Sequence, residues 1–180
     1  MLNHAQLCEG DLISLESSVL ETDTDQSDPL LPFDGRQSEV AAELQRGVCR
    51  AFRSRGHSVV TELSLASGRR ADVVALSPGG DVVIIEIKSC LLDYRSDGKW
   101  QDYLSYCDRL YFAVTADFPR EVIPDAAGLI LADRYGAELM REPAEERLPA
   151  ARRKAMTLCF ARAAALRLQR HLDSACGFEI

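Results

Sequence analysis

The stretch that most constrains the fold is RRADVVALSPGGDVVIIEIKS, residues 69–89, where two strand-like runs flank a turn. Residues 82–85 are all apolar, which is typical of a strand buried on both faces. The letters PGG before them predict the turn of a β-hairpin. Glu86 and Lys88 nevertheless follow the apolar run directly, and Asp72 lies in the partner strand. Because charges are rarely buried without a partner or a function, these three residues need an explanation.

The hairpin register predicts where these charges meet. Side chains alternate between the two faces of a strand, so Glu86 and Lys88 should share a face with Val82 and Ile84. On the partner strand, the same alternation groups four residues on one face: Arg70, Asp72, Val74 and Leu76. A three-residue turn over residues 78–80 sets Asp72 opposite Glu86. Like charges directly opposite each other are unfavourable, but a divalent cation between the two carboxylates would reverse that effect.

This set of residues suits metal-assisted phosphodiester hydrolysis. Mg²⁺ prefers carboxylate oxygens and water, and it keeps open positions for a phosphate oxygen. Lys88 would point to the same place, where its ammonium could hold the attacking water or neutralise charge on the phosphate. The alternative interpretation is an exposed hairpin with alternating charges. The apolar residues before Glu86 favour the catalytic interpretation.

The sequence from residue 38 onward predicts an α/β fold, with a mixed sheet of four or five strands flanked by helices. The predicted order is helix, three strands, helix, two strands and helix. Helices are predicted over residues 38–56, 99–107 and 150–172, and strands over 57–65, 70–76, 81–88, 109–115 and 127–133. Residues 89–98 read as a polar loop, and residues 136–142 as a short segment of no assigned type.

The charge is divided unevenly along the chain. Its formal net charge is −7, yet residues 1–34 contain eight acidic residues and no Lys or Arg. The remainder has 21 basic and 20 acidic residues, so the body is close to neutral and nucleic acid is not excluded as a ligand. We expect a mostly disordered acidic tail over residues 1–35, with a short helix near residues 12–20, and one domain over 36–180. The tail is either a segment that binds a partner or a solubilising arm.

The sequence disfavours a membrane protein and a metal site built from cysteines. No apolar run approaches the roughly 20 residues that span a bilayer, and the N-terminus lacks the pattern of a secretory signal. The six cysteines show neither a CxxC spacing nor paired histidines. This disfavours a zinc site and indicates reduced thiols. We therefore expect a cytoplasmic protein without membrane contact.

The segment from Gly68 to Val114, which includes DYRSDGKWQDYLSYCDRLYFAV, resembles the PD-(D/E)XK nuclease superfamily and, more closely, the MmcB-like DNA-repair proteins of bacteria. The likeness runs from about Arg46 to the C-terminal helix and stops short of the acidic tail, whose partner, if it binds one, would then be a repair protein. The resemblance implies a restriction-endonuclease-like core, a DNA substrate, dependence on Mg²⁺ or Mn²⁺, and a role in DNA repair. It matches Asp72 to the acid of one strand and Glu86-Ile87-Lys88 to the E-X-K of the next. It further implies that the main-chain carbonyl of Ile87 contacts the metal.

Two further positions of the superfamily pattern lie on helices. An acid is expected on the helix before the hairpin, where Glu43 is our choice and Glu39 lies one turn earlier. Glu62 on the first strand is a third candidate. A polar residue is expected on the helix that follows, where Gln101 is our choice and Lys99 is the alternative; either could reach a metal-bound water or a phosphate. Ala71 stands where the superfamily name has Pro.

Basic residues predict where DNA binds. Near the site we expect Arg70, Arg95 and Lys99 to contact the DNA backbone, and on the last helix Arg152, Arg153 and Lys154. An apolar stripe on the last helix should pack on the body: Leu158, Ala161, Ala165, Leu168 and Leu172. The sequence thus predicts a metal-dependent DNA endonuclease. The rival hypothesis is a nuclease fold that binds DNA structures or recruits partners without cutting.

Overall fold

The computed structural model describes residues 38–175, so the predicted tail over residues 1–35 lies outside the described residues. The helices are α1 (Glu39–Ser54), α2 (Leu91–Ser96) and α3 (Ala150–Ala175), with 3₁₀ helices at Trp100–Tyr106 and Arg120–Val122. The strands are β1 (Ser58–Ser64), β2 (Arg70–Leu76), β3 (Val82–Lys88), β4 (Arg109–Val114), β5 (Gly128–Ala132) and β6 (Ala137–Arg141).

All of the described strands form one mixed sheet of six strands in the order β1-β2-β3-β4-β5-β6. Strands β3, β4 and β5 are parallel, and the other neighbours are antiparallel. The prediction of an α/β fold is confirmed, but the prediction of four or five strands is wrong. The additional strand is β6, which pairs with β5 across an irregularity at Leu129/Ile130. Its alternating half-buried and exposed side chains give only a weak sequence signal.

Helices cover both faces of the sheet. α1 begins at Ser38, whose Oγ accepts a hydrogen bond from the Ala41 amide at 3.1 Å, as a helix N-cap does. Leu44, Val48 and Phe52 of α1 pack on one face, in a cluster with alternate residues of β2 and β3. The opposite face is covered by α3 and the 3₁₀ helix at Trp100–Tyr106, in a second cluster that includes Val74 and Ile84.

The connection between β3 and β4 differs from its predicted form. The predicted loop over residues 89–98 contains α2, and the predicted helix over residues 99–107 is a 3₁₀ helix. Asp93 favours α2 because its Oδ2 accepts a hydrogen bond from the Ser89 amide at 3.1 Å. The segment is fixed to the body by its apolar side chains, since Cys107 is buried in the second cluster and Trp100 and Leu104 pack against it.

α3 is oriented differently from the prediction. Its buried residues are Met156 and Phe160, whereas Leu158, Leu168 and Leu172 are 54%, 55% and 49% exposed. The predicted packing stripe is therefore wrong. The helix has apolar residues on two sides, and periodicity alone does not tell which side meets the body. Hydrogen bonds fix the choice, because Arg153 binds Asp108 and Arg167 donates to the carbonyl oxygens of Thr61 and Glu62.

The orientation of α3 can be checked by substitution. Leu168→Ser should change the free energy of unfolding by no more than about 0.5 kcal/mol, because an exposed side chain loses little on becoming polar. Phe160→Ser should lower it clearly, because it places a hydroxyl in the buried second cluster. Urea unfolding of the two variants measures both values. Equal destabilisation would contradict the orientation described here.

None of the helices within residues 38–175 is long and apolar enough to cross a membrane.

Candidate active site

The three charged residues of the hairpin meet where β2 and β3 separate. The ladder between these strands runs from Leu76↔Val82 to Val73↔Ile85, which confirms the predicted register. Beyond it, side chains join the strands. Oε1 of Glu86 accepts a hydrogen bond from the Asp72 amide at 3.3 Å, and Oδ2 of Asp72 accepts one from the Ile87 amide at 2.7 Å. The two carboxylates thus lie in the fork between the strands; we call Asp72, Glu86 and Lys88 the fork site.

β1 and β2 are irregular beside the fork. Glu62 is missing from the regular pairing of β1 with β2 and has φ +48°, a left-handed value that is uncommon outside glycine. On β2, Ala71 and Val74 pack in the same cluster, so the side chains do not alternate regularly across Asp72. The predicted single face for Arg70, Asp72, Val74 and Leu76 is therefore wrong. On β3 the alternation is regular, as predicted.

Both carboxylates of the fork site resist ionisation. Glu86 is only 2% exposed, and burial together with the charge of Asp72 raises its pKa well above the ordinary value. Burial also raises the pKa of Asp72 to about 6, although the hydrogen bond from Ile87 and the charge of Lys88 oppose that rise. The fork therefore holds more negative charge than its surroundings compensate, which is the condition that a bound cation relieves.

Lys88 lies between the carboxylates and the α2 segment. It is 5% exposed, and its Nζ is 2.8 Å from Oδ2 of Asp97 and 4.0 Å from Oε2 of Glu86. Burial alone would lower the pKa of Lys88, but the hydrogen bond to Asp97 and the charges of Glu86 and Asp72 outweigh it and raise the pKa. Arg69 contacts the other oxygen of Asp97 at 3.3 Å. The ammonium is therefore held in one place as a cation.

α1 approaches the fork through an amide, not through the predicted acid. Nε2 of the buried Gln45 donates to the main-chain oxygen of Asp72 at 3.4 Å and to Oε1 of Glu62 at 3.3 Å. Glu43 instead contacts Arg134, with 3.8 Å between Oε1 and NH1, and Glu39 is exposed. The structure thus brings Glu62, the third candidate, to the fork and leaves the two helical acids elsewhere.

The remaining predicted residues lie around the fork or away from it. Arg70 forms an ion pair with Glu62 at 2.5 Å, and Gln101, Arg95 and Lys99 are exposed. On α3, Arg152 donates to the Ser105 carbonyl oxygen at 2.9 Å and lies over the Tyr106 ring. Arg153 is held by Asp108, and Lys154 is exposed. Arg153 is thus a structural anchor in this conformation, whereas Lys154, Lys99 and Arg95 face solvent.

Sequence reasoning missed several residues of the site. Asp97 and Arg69 hold Lys88, Gln45 reaches the fork from α1, and the buried Tyr103 donates its hydroxyl to the Arg70 carbonyl oxygen at 3.1 Å. Asp97 lies in the segment that carries the family resemblance. Its contact with Lys88, however, joins two elements that no local sequence pattern connects. Gln45 stands among the apolar positions of its helix, and this placement is the one signal for it that periodicity offers.

The donor atoms of the fork fit a magnesium or manganese ion. One oxygen of each carboxylate accepts a main-chain hydrogen bond, which leaves Oδ1 of Asp72 and Oε2 of Glu86 for a cation. Among residues 38–175, no group of three or more His, Cys, Asp and Glu side chains is arranged to hold a metal. Two carboxylates nevertheless suit Mg²⁺, which is commonly held by one or two carboxylates, water and substrate phosphate.

The raised pKa of Asp72 predicts that the stability of the protein in chelator falls as pH rises. The folded pKa of about 6 exceeds the unfolded value, so the native state binds more protons between roughly pH 4 and 6. In chelator, this stabilising contribution should be present at pH 4 and disappear as pH rises through 6. Compared with Asp72→Asn, wild type should lose roughly 1.5 kcal/mol of relative stability between pH 5 and 8. Urea unfolding at several pH values measures the difference; a constant difference would contradict the raised pKa.

The chain is similar to known proteins in sequence and in fold. The family described as DNA repair protein MmcB-like matches residues 27–175. The chain is also similar to the SPO1766 protein of unknown function from Silicibacter pomeroyi, at 42% sequence identity and a TM-score of 0.74. That match covers 77% of this chain and 95% of the other. No curated protein matches the chain.

Proposed function

Because the chain belongs to the MmcB-like DNA repair protein family, we propose that it is a metal-dependent DNA endonuclease with a PD-(D/E)XK fold. The observation that carries the proposal is the fork site, in which two carboxylates and an ammonium converge where β2 and β3 separate. Asp72 stands on β2 and Glu86-Ile87-Lys88 on β3, in the arrangement that the superfamily pattern requires. A purely structural hairpin would gain nothing from two adjacent buried carboxylates.

The residues of the chain have distinct roles in this proposal. Asp72 and Glu86 would hold Mg²⁺ or Mn²⁺, with the main-chain carbonyl of Ile87 as a further ligand. When bound, the ion supplies Lewis-acid stabilisation of the phosphate and lowers the pKa of a water. Lys88 neutralises charge that develops on the phosphate, and Asp97 and Arg69 keep its ammonium in place. Lys99 and Arg95, which are exposed beside the site, contact the DNA backbone.

A binding protein without nuclease activity is the second candidate, and one observation favours it. The helix before the hairpin presents the Gln45 amide to the fork, where the superfamily pattern expects an acid. Glu62 supplies a carboxylate nearby, but Arg70 and Gln45 already engage it. If the fork lacks an acid needed for hydrolysis, the protein would recognise DNA structures or recruit repair proteins.

Cleavage of a DNA panel distinguishes the two candidates. Duplex, single-stranded, flapped and branched DNAs are incubated with Mg²⁺ or Mn²⁺, with wild type and with Lys88→Ala. The nuclease hypothesis predicts metal-dependent cleavage of at least one substrate and a loss of about 100-fold or more in Lys88→Ala. Lys99→Ala is the matched control: because this lysine is exposed and contacts DNA, its loss should raise the DNA concentration needed for cleavage but leave the cleavage rate at saturating DNA unchanged.

The other outcomes are equally informative. Equal cleavage by wild type and Lys88→Ala would assign the activity to a contaminant. Tight binding of a branched or flapped DNA by wild type without any cleavage would favour the binding protein. Circular dichroism of Lys88→Ala must show the folded spectrum, because the substitution removes a buried partner of Asp97.

A further inference from the structure

The outer side of α3 carries an apolar stripe that no described residue covers. Its members are spaced by three and four residues, as in the contact seam of a helix pair: Leu158, Ala161, Ala165, Leu168 and Leu172. All five are exposed. Since α3 is held to the body by Met156 and Phe160 on its other side, the stripe is available to a further segment. We call it the outer stripe.

The N-terminal end of the outer stripe opens into a groove. The groove has a volume of about 550 Å³ and lies between α3 and the residues before it. Its lining combines basic and apolar side chains: Arg147, Leu148, Arg153, Lys154, Thr157 and Leu158. Leu158 belongs to both the groove and the outer stripe, so the two form one continuous surface. Its occupant should therefore be acidic and carry aliphatic side chains at helical or near-helical spacing.

The charge of α3 argues against a second copy of the same helix. Within Ala150–Ala175 there are six basic residues and one acidic residue, Asp173. Two such helices in contact would bring like charges together, which costs stability and disfavours association. Exposed Lys154 and Arg162 lie on or beside the outer stripe, where such repulsion would be strongest. An acidic occupant removes this conflict.

We propose that the acidic segment of residues 1–34 of the same chain docks on the groove and outer stripe of α3, with residues 11–21 in contact and the residues after them in the connection. This segment has eight acidic residues and no Lys or Arg. It also has the aliphatic residues that an apolar stripe requires, concentrated in DLISLESSVLE at residues 11–21. The segment therefore matches the surface in both charge and apolar character. The inference does not depend on nuclease activity.

The connection is long enough for this contact. α1, which begins at Glu39, covers the sheet face opposite to α3, so the chain must pass around the sheet. About 15 extended residues reach roughly 50 Å, whereas a domain of this size is about 40 Å wide. Residues 22–37 thus bridge the two faces while residues 11–21 contact α3. Docked in this way, the acidic side chains occupy positions at Lys154 that DNA phosphates would otherwise take.

Carbodiimide cross-linking of the full chain tests the proposal, because it joins carboxylates to amines without a spacer. The chain has three lysines: Lys88, which is buried, and Lys99 and Lys154, which are exposed. Trypsin releases residues 1–36 as one peptide, since Arg36 is the first basic residue. Docking predicts that this peptide is linked to Lys154 about five-fold or more above its linkage to Lys99, because docking raises the local concentration of carboxylates.

Variants and isotope labelling complete the test. Leu158→Ser with Leu168→Ser should reduce linkage at Lys154 to the level at Lys99, whereas Leu92→Ser, at an exposed leucine outside α3, should not. An equal mixture of ¹⁵N-labelled and unlabelled protein should give no mixed-isotope links. Equal linkage of the two lysines, or linkage unaffected by the double substitution, would overturn the proposal. Mixed-isotope links would overturn it in favour of contact between two copies.

Discussion

Asp72→Asn should abolish metal-dependent DNA cleavage and yet leave the protein at least as stable as wild type in chelator. We expect activity to fall by about 1,000-fold, in the range found when a group that stabilises the transition state is removed. In chelator at pH 7.5, the free energy of unfolding should be unchanged or higher by up to about 2 kcal/mol. The variant should gain little stability from Mn²⁺, whereas wild type should gain by mass action on the native state.

The physical reason is that the buried carboxylate of Asp72 lowers the free energy of unfolding in the absence of metal. Its carboxylate is buried beside Glu86, and its pKa is raised to about 6. Asn retains an oxygen that can accept the hydrogen bond from the Ile87 amide, so the join between β2 and β3 is preserved. The substitution therefore removes the charge but not the geometry. Loss of one metal ligand accounts for the lost activity.

Thermal unfolding with chelator and with Mn²⁺ measures the stability effects. Glu43→Gln and Glu62→Gln, run alongside, show which further acid belongs to the site. Because Glu62 lies by the fork and Glu43 contacts Arg134, only Glu62→Gln should weaken the response to Mn²⁺. An Asp72→Asn variant that is clearly destabilised in chelator and responds fully to Mn²⁺ would make Asp72 a structural residue.

Asp108→Ala should destabilise the protein by about 3–5 kcal/mol, which is the usual cost of breaking a buried ion pair. Asp108 is buried and accepts hydrogen bonds from the Val82 amide at 2.7 Å, the Leu148 amide at 2.9 Å and both terminal nitrogens of Arg153. Burial would raise the pKa of Asp108, but these donors outweigh it and lower the pKa. Removal of the carboxylate leaves the Val82 and Leu148 amides without their acceptor, and it leaves Arg153 with the Gly80 carbonyl oxygen and the more distant Asp81.

Urea unfolding of Asp108→Ala measures this loss, and Asp125→Ala provides the control. Asp125 also pairs with an arginine, Arg141, but its side chain is fully exposed, so its removal should have little effect on stability. Similar effects of the two substitutions would show that Asp108 does not anchor α3. Metal binding of folded Asp108→Ala should be unchanged, because Asp108 is absent from the fork site.

The hairpin was predictable because local rules determine it. The length of the turn after Ser77 sets the register, and that register brings Asp72 and Glu86 together. Alternation on β3 likewise separates Glu86 and Lys88 from Ile85 and Ile87. By contrast, the pairing of Lys88 with Asp97 and the entry of Gln45 depend on how distant elements pack. Such contacts leave no periodic signal in the sequence.

The errors in the predicted fold have a similar origin. β6 is a short edge strand whose side chains are at most half-buried, so its apolar pattern is weak. On α3, the leucine stripe has better helical spacing than Met156 and Phe160, yet the helix turns the latter pair to the body. The Arg153–Asp108 ion pair determines that choice, and it joins residues 45 positions apart in the sequence.

The proposed nuclease function requires that the fork site binds a divalent cation, and Mn²⁺ binding can be measured directly. Electron paramagnetic resonance reports free Mn²⁺, so titration of the full-length protein at pH 7.5 gives the number of bound ions. We predict one ion bound by wild type and by Asp125→Asn, and none bound with comparable affinity by Asp72→Asn or Glu86→Gln. Equal Mn²⁺ binding by all four proteins would show that Asp72 and Glu86 do not hold the ion, and it would contradict the proposed metal site.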